Sequence, residues 1–306
     1  MRIMLIGHAC GPGLGSEPGT TWNLAWQLAR RHDVWVLAHP KYRDKTDKYL
    51  TAYPNPNLHM VYVTLPSRLD PWDPEKGERG LKLHYLVWQH IAARKARELC
   101  NSMTFDVAHH VSLGTINAPP VLHKLPVPVV WGPIGGGQTA PMAFKDYFKG
   151  AVVQEKMRRA MCAMLPFTPS LRRMARKASL SLAKNFETLE LLRRAGAREA
   201  QFMLDCGLPP DYASDATGRR DVGGEFRLLW GGRCELRKTL PLGLEALAKV
   251  KARVRLTVAG DGPMKSQWES IARELGVSDR VEFLGNVPYQ KMNELFRASH
   301  ALLFTS

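Results

Sequence analysis

The 306-residue chain is poor in cysteine: Cys10, Cys100, Cys162, Cys206 and Cys234 are scattered, and none belongs to a CxxC pair. That pattern argues against a disulfide framework or a cysteine-based zinc site and favours a reducing compartment, so the expected setting is cytoplasmic. Long apolar runs are missing too, and none approaches the roughly 18 residues of a membrane-spanning helix. The opening Met1-Arg2-Ile3-Met4-Leu5-Ile6-Gly7 is interrupted too early to read as a signal peptide. Acidic residues are in deficit: 28 Asp and Glu stand against 43 Lys and Arg, a net charge of +15. Such a balance attracts anions, whether phosphates or acidic lipid, or simply makes a solvated basic surface. Zinc-finger spacing and the aromatic signature of RNA-binding modules do not accompany the charge, so no nucleic-acid partner is expected.

What is present is a regular alternation of short apolar strands and amphipathic helices. The apolar runs predict strands over Arg2–Gly7, Val34–Ala38, Met60–Leu65, Val107–His110, Val127–Trp131, Leu180–Ala183, Gln201–Leu204, Phe226–Trp230, Arg255–Ala259, Val281–Leu284 and Ala301–Phe304. Helical periodicity predicts Thr20–Arg31, Leu81–Cys100, Glu187–Ala195, Leu240–Val250, Met264–Leu275 and Gln290–Arg297. Continuous apolar strands separated by helices mean parallel sheets covered on both faces, an α/β architecture. The stretch 207–224 holds Pro209-Pro210, Gly218 and Gly223-Gly224 and reads as a linker. The expectation is therefore a first doubly wound domain over 1–206 and a second over 225–306, facing across a cleft. The closing Leu302-Leu303-Phe304-Thr305-Ser306 looks like a strand entering a loop, so the second domain is expected to be incomplete.

Candidate chemistry clusters at strand ends, where open α/β sheets bind ligands. Gly11-Pro12-Gly13-Leu14-Gly15-Ser16-Glu17 follows the first strand and precedes a helix, a loop whose amides suit an anion. A dinucleotide fingerprint would need glycine where Ser16 stands, and an acidic residue where the second strand leads into Ala38-His39-Pro40. An NAD-dependent oxidoreductase is thus the weaker alternative, with a non-catalytic anion-binding protein as the third. His109 and His110 are expected at the end of a central strand, pointing to opposite sides, with His110 nearer the loop. Gly132–Gly137 reads as a loop. Leu228-Leu229-Trp230-Gly231-Gly232-Arg233 ends a strand, and Lys238 follows five residues on, so a guanidinium fork and an ammonium meet at a helix mouth. Gly260-Asp261-Gly262-Pro263 and Gly285-Asn286-Val287 end the next two strands. No metal is expected, since Asp70 and Asp73 bracket Pro71-Trp72 on a proline-rich loop, a poor metal platform.

These segments resemble the retaining glycosyltransferases of family 4, which have the GT-B fold of two facing Rossmann-like domains. The likeness rests on Gly232-Arg233 with Lys238, Ala259–Pro263 and Val281–Gly285 in the second half. In the first half, Gly15–Gly19 and Trp131–Gly137 resemble a bacterial branch. The resemblance implies a sugar moved from a nucleoside diphosphate to a lipid-linked or polysaccharide acceptor, with retention and without a metal or other cofactor. Arg233 and Lys238 would hold the donor diphosphate. Gly232, Gly260, Gly262, Phe283, Gly285, Asn286 and Val287 would border the nucleotide. Gly11, Gly13, Gly15, Ser16 and Glu17 would lie near the diphosphate or acceptor, and His110 or His109 would match the active-site histidine. The family's paired donor-binding glutamates would follow Ser306, so the chain as it stands is expected to have little transferase activity. Ala151–Lys184 interleaves eight Lys and Arg with Val152, Val153, Met157, Met161, Met164 and Phe167. It reads as two basic amphipathic pieces, broken by Pro166 and Pro169, for an anionic membrane surface or for solvent.

Overall fold

In β1 (Arg2–Gly7) successive side chains point to opposite faces. Ile3 and Leu5 join a buried cluster with Trp22, Ala25, Val34 and Val36, while Met4 and Ile6 join another with Trp88, Ala92, Trp131 and Ile134. A strand buried on both sides has to be apolar throughout, which is why its limits show in the sequence. This computed structural model describes residues 1–67, 70, 72, 77, 79–204 and 224–305. The predicted linker residues 207–223 lie outside the described residues.

Around β1 run α1 (Ser16–Leu28), β2 (Asp33–Ala38), α2 (Arg43–Ala52), β3 (Leu58–Tyr62), α3 (Leu81–Ser102), β4 (Val107–Ser112) and β5 (Val129–Ile134). They are followed by α4 (Val152–Met164), α5 (Pro169–Lys177), β6 (Leu180–Ala183), α6 (Phe186–Arg194) and β7 (Ala200–Phe202). All seven strands are parallel in the order β3-β2-β1-β4-β5-β6-β7. Strand order reverses between β1 and β4, the topological switch point.

The second sheet holds β8 (Phe226–Gly231), β9 (Val254–Ala259), β10 (Val281–Gly285) and β11 (Ala301–Leu302), with α7 (Leu240–Lys249), α8 (Lys265–Glu274) and α9 (Tyr289–Ala298) between them. It is parallel in the order β10-β9-β8-β11. Its core packs Leu256 and Val258 against Leu240, Leu244 and Leu247 of α7 and against Trp268, whose ring meets Trp230 edge-on at 5.4 Å. The expected α/β class with parallel sheets is what the chain forms.

By contacts the chain divides into Met1–Gln138 with Arg158–Pro209, and Thr139–Met157 with Pro210–Ser306. The segment 139–157, expected in the first domain, thus groups with the second unit. One tie is visible: the Tyr147 hydroxyl donates to Glu245 on α7 at 2.6 Å.

Several boundaries differ from the sequence reading, each for a local reason. Helix α1 starts at Ser16, not Thr20, because Pro18 falls in the first turn, where no amide proton is needed. Gly19 then passes so close to Leu14 that a Cβ would lie 1.9 Å from its carbonyl oxygen. Strand β5 continues through Gly132-Pro133 to Ile134, so part of the expected glycine loop is strand. Leu182 of β6 comes so near that a Cβ on Gly132 would be 2.3 Å from its carbonyl oxygen, and the register shifts there, which accommodates the proline.

Candidate functional site

In the second unit the loops after β8 and β9 are bonded together at the carboxyl edge. Gly232 donates its amide to Ala259 (3.0 Å), Cys234 to Asp261 (2.8 Å), Met264 to Cys234 (3.0 Å) and Gly260 to Gly285 (2.7 Å). This closeness demands glycine. Gly260 has φ +154°, and a Cβ there would lie 1.7 Å from the Gly232 oxygen; at Gly262, φ +153°, it would lie 2.6 Å from the Cys234 oxygen. The Asp261 carboxylate accepts the Gly262 amide at 2.7 Å and holds the turn into α8.

The result is a pocket of about 560 Å³ lined by Gly232, Arg233, Ala259, Gly260, Asp261, Gly262, Asn286, Val287 and Met292. Arg233 is mostly exposed, with its Nε 3.2 Å from Glu235, whose other oxygen takes Nε of Arg237 at 2.8 Å. Lys238 lies at the end of a short turn before α7, and its Cε is 3.8 Å from where a Gly232 Cβ would be. Its ammonium sits 5.6 Å from the Phe304 ring centroid. Burial, then Arg237, lower its pKa below the ordinary lysine value, with Glu235 opposing. Lys238 therefore comes up beside Gly232, whose neighbour in the chain is Arg233. Thr305 Oγ1 donates to the Lys238 carbonyl and accepts from Trp230 Nε1, which fastens this turn to the strand end.

Not every predicted residue reaches the pocket. Phe283 packs against the core cluster within β10 and does not line the wall. Gly285 contributes its carbonyl to Gly260 rather than a surface. Asp261 and Met292 were not singled out from sequence. Asp261 could have been, as the residue between two predicted glycines. Met292 carries no signal that separates it from an ordinary apolar helix position.

In the first unit the switch point is equally close-knit. Glu17 accepts the Gly114 amide at 3.2 Å, Thr21 donates to the Ser112 hydroxyl at 3.0 Å, and that hydroxyl donates to the Ala9 carbonyl at 3.2 Å. Gly11 donates to the Pro18 carbonyl at 3.1 Å, and Gly15 is the residue before α1. Gly13 and Ser16 both take left-handed φ values, +62° and +57°. Gly13 has nothing within 4 Å of its Cβ position, so its backbone faces open space.

The two histidines sit deeper in their strand than the sequence suggests. Strand β4 runs to Ser112, so His109 and His110 lie inside the strand, not at its mouth. Polar side chains hid the extension, although Ser112 is bonded into the sheet edge. They do face opposite sides. His110 is buried, with Nε2 3.1 Å from the Tyr85 hydroxyl, and its pKa is lowered to about 3, chiefly by burial and then by His109. His109 donates from Nε2 to the Gly132 carbonyl at 2.7 Å, and burial lowers its pKa below the usual imidazole value.

Comparison with known proteins finds likenesses of sequence in the second unit and of fold over the chain. Residues 220–306, which contain the whole pocket, match the family described as Glycosyl transferases group 1. Over 93 residues the chain is 29% identical to an uncharacterized glycosyltransferase, MJ1607, of Methanocaldococcus jannaschii, and that match spans 24% of the relative's length. Among solved structures, the lipopolysaccharide outer core galactosyltransferase WaaB aligns over 100% of this chain and 74% of its own, with a TM-score of 0.61 and 16% identity. HepE of Anabaena, solved in complex with UDP, aligns over the same shares with a TM-score of 0.58 and 16% identity. At these identities the likeness establishes the GT-B type of fold.

Proposed function

We propose that the chain is a GT-B glycosyltransferase whose second unit binds a nucleoside-diphosphate sugar. The observation that carries this reading is the pocket of about 560 Å³ built from three strand-end loops, with Arg233 on its wall and Lys238 beside Gly232. The fold likeness to HepE, which has been solved with UDP and with UDP-glucose, supports it. Gly232, Gly260 and Gly262 keep the floor free of side chains, Asn286 and Val287 border the nucleotide, and Arg233 and Lys238 take the diphosphate. As the bond to the anomeric carbon breaks, negative charge grows on the diphosphate. A fork and a point charge aimed there stabilise it, without a metal at that step. Retention of configuration follows the family resemblance.

In the first unit the loop Gly11–Glu17 offers its amides to an anionic or acceptor group. His109 and His110 hold β4 in place through Gly132 and Tyr85 and act as positioning residues. The acceptor is lipid-linked or a polysaccharide. Helix α4 favours a peripheral site on an anionic membrane: Val153, Met157, Met161 and Met164 recur along it and are 70%, 68%, 45% and 63% exposed. Lys156, Arg158 and Arg159 interleave with them, the pattern of an interfacial helix. Among the described residues no helix is long and apolar enough to cross a membrane.

Calorimetric titration with UDP, UDP-glucose and NAD tests the donor reading. Saturable binding of UDP or UDP-glucose with none of NAD is expected. Binding of NAD alone, or of none of the three and no other nucleoside diphosphate, overturns it.

A further inference from the structure

A group of side chains in the first unit has no part in the chemistry above. His8 follows the last residue of β1, His39 follows the last residue of β2, and His84 lies in the first turn of α3. Their ring centroids are 5.2 Å (His8 to His39), 5.1 Å (His8 to His84) and 4.9 Å (His39 to His84) apart. All three are buried, His84 completely, and Trp72, Tyr85 and Trp88 wall the group. Asp70 Oδ1 accepts from Nδ1 of His84 at 2.6 Å and from the Trp72 amide at 3.0 Å.

The bond to Asp70 places the His84 proton on Nδ1 and leaves a lone pair on Nε2. That Nε2 is buried with no hydrogen-bond partner, and so is Nε2 of His8. Two orphaned nitrogens in one aromatic-walled cluster are an arrangement that folded chains avoid unless something occupies the space. A carboxylate on the far nitrogen of a histidine is also how metal-ligating imidazoles are oriented. Ligand atoms of His39, Asp70 and His84 already lie within 4.8 Å of one another. Ligand atoms about 2.0–2.1 Å from one tetrahedral ion sit about 3.3 Å apart, so those of His39, Asp70 and His84 are within about 1.5 Å of that spacing.

We propose that this cluster binds one divalent transition-metal ion of the zinc class. His8 and His84 ligate through Nε2 and His39 supplies a third nitrogen, while Asp70 orients His84 and provides negative charge. Ligation by His39 through Nε2 moves its proton to Nδ1 and gives up the 3.2 Å bond from the Lys41 amide. The Lys41 ammonium, 4.9 Å from the Trp72 ring centroid, opposes the ion, and Asp70 offsets it. The ion would tie the ends of β1 and β2 to α3. Imidazole-rich donor sets suit zinc, cobalt and nickel rather than magnesium or calcium.

The inference is independent of the donor reading, and its test reads binding rather than turnover. Chelator-stripped protein is titrated with Zn²⁺ and Co²⁺ against a chromophoric chelator, and its thermal unfolding is followed with and without one equivalent of Zn²⁺. One equivalent bound, a raised unfolding midpoint and visible Co²⁺ absorption bands are expected. Affinity should fall about 10- to 100-fold in Asp70→Asn and at least as far in His39→Gln. Absence of binding, an unchanged midpoint, or equal affinity in folded variants overturns the proposal. The wild-type midpoint decides the matter even where a variant fails to fold.

Discussion

Gly260→Ala probes the joint on which the second-unit pocket depends. The new Cβ would lie 1.7 Å from the Gly232 carbonyl oxygen, and contacts under 3.0 Å essentially never occur, so the loops after β8 and β9 would have to separate by about 1.3 Å. The neighbouring bond from Gly232 to Ala259, 3.0 Å, would then stretch beyond hydrogen-bonding range. It is worth about 0.5–1.5 kcal/mol net. Alanine at φ +154° adds strain of about 1–3 kcal/mol. The sum is a loss of about 1.5–4.5 kcal/mol in the second unit, together with loss of nucleotide binding. Gly13→Ala is the control: its φ is +62° with nothing within 4 Å, so only the backbone strain remains, about 1–2 kcal/mol. Urea unfolding read by circular dichroism, with UDP binding measured in parallel, compares the two. The reasoning fails if Gly260→Ala is as stable as the parent, or is destabilised no more than Gly13→Ala.

Three further outcomes follow from single contacts. Because the folded pKa of His110 is about 3 and the unfolded value about 6.5, only the unfolded chain takes up this proton between those limits. Stability from this group is full above pH 6.5 and falls with decreasing pH, by about 2 kcal/mol at pH 5; His110→Gln should flatten that part of the stability profile, and an unchanged acid slope would count against the assignment. Asn185 accepts the Thr188 amide at 2.9 Å at the start of α6, so Asn185→Ala should cost about 1 kcal/mol in denaturant unfolding; a cost indistinguishable from zero would show the cap to be idle. Met157→Glu, on the exposed stripe of α4, should reduce co-sedimentation with anionic vesicles at low salt; equal pelleting of variant and parent, or no pelleting of either, would remove the membrane partner.

The parts of the fold legible in sequence are those whose residues declare their surroundings. Strand β1 is apolar from Ile3 to Ile6 and β6 is broken only by Ser181, and the limits of both agree with the reading from sequence. Helix α2 was missed because Thr46 is its only buried residue, so no apolar stripe marks it. The ends of β4 and β5 were missed because Ser112 and Pro133 are not strand-like residues, and their fit depends on neighbouring chain. On the site, Gly232, Gly260 and Gly262 were legible because close backbone approach leaves glycine few substitutes. Phe283 was misplaced since sequence alone does not say whether a strand-end aromatic faces a pocket or a core. The cluster of His8, His39, Asp70 and His84 was invisible for a plainer reason. Its members are separated by whole elements, and only the sheet brings two strand ends and a helix start together.

The central claim is that Lys238 and Arg233 hold a diphosphate beside Gly232. It is tested most directly by comparing UDP with uridine on the parent protein and on Lys238→Ala. A lost charge-assisted contact worth about 1.5–3 kcal/mol should weaken UDP binding by about 10- to 100-fold and leave uridine binding unchanged. Equal loss for both ligands, or undiminished UDP affinity in the variant, would contradict the account.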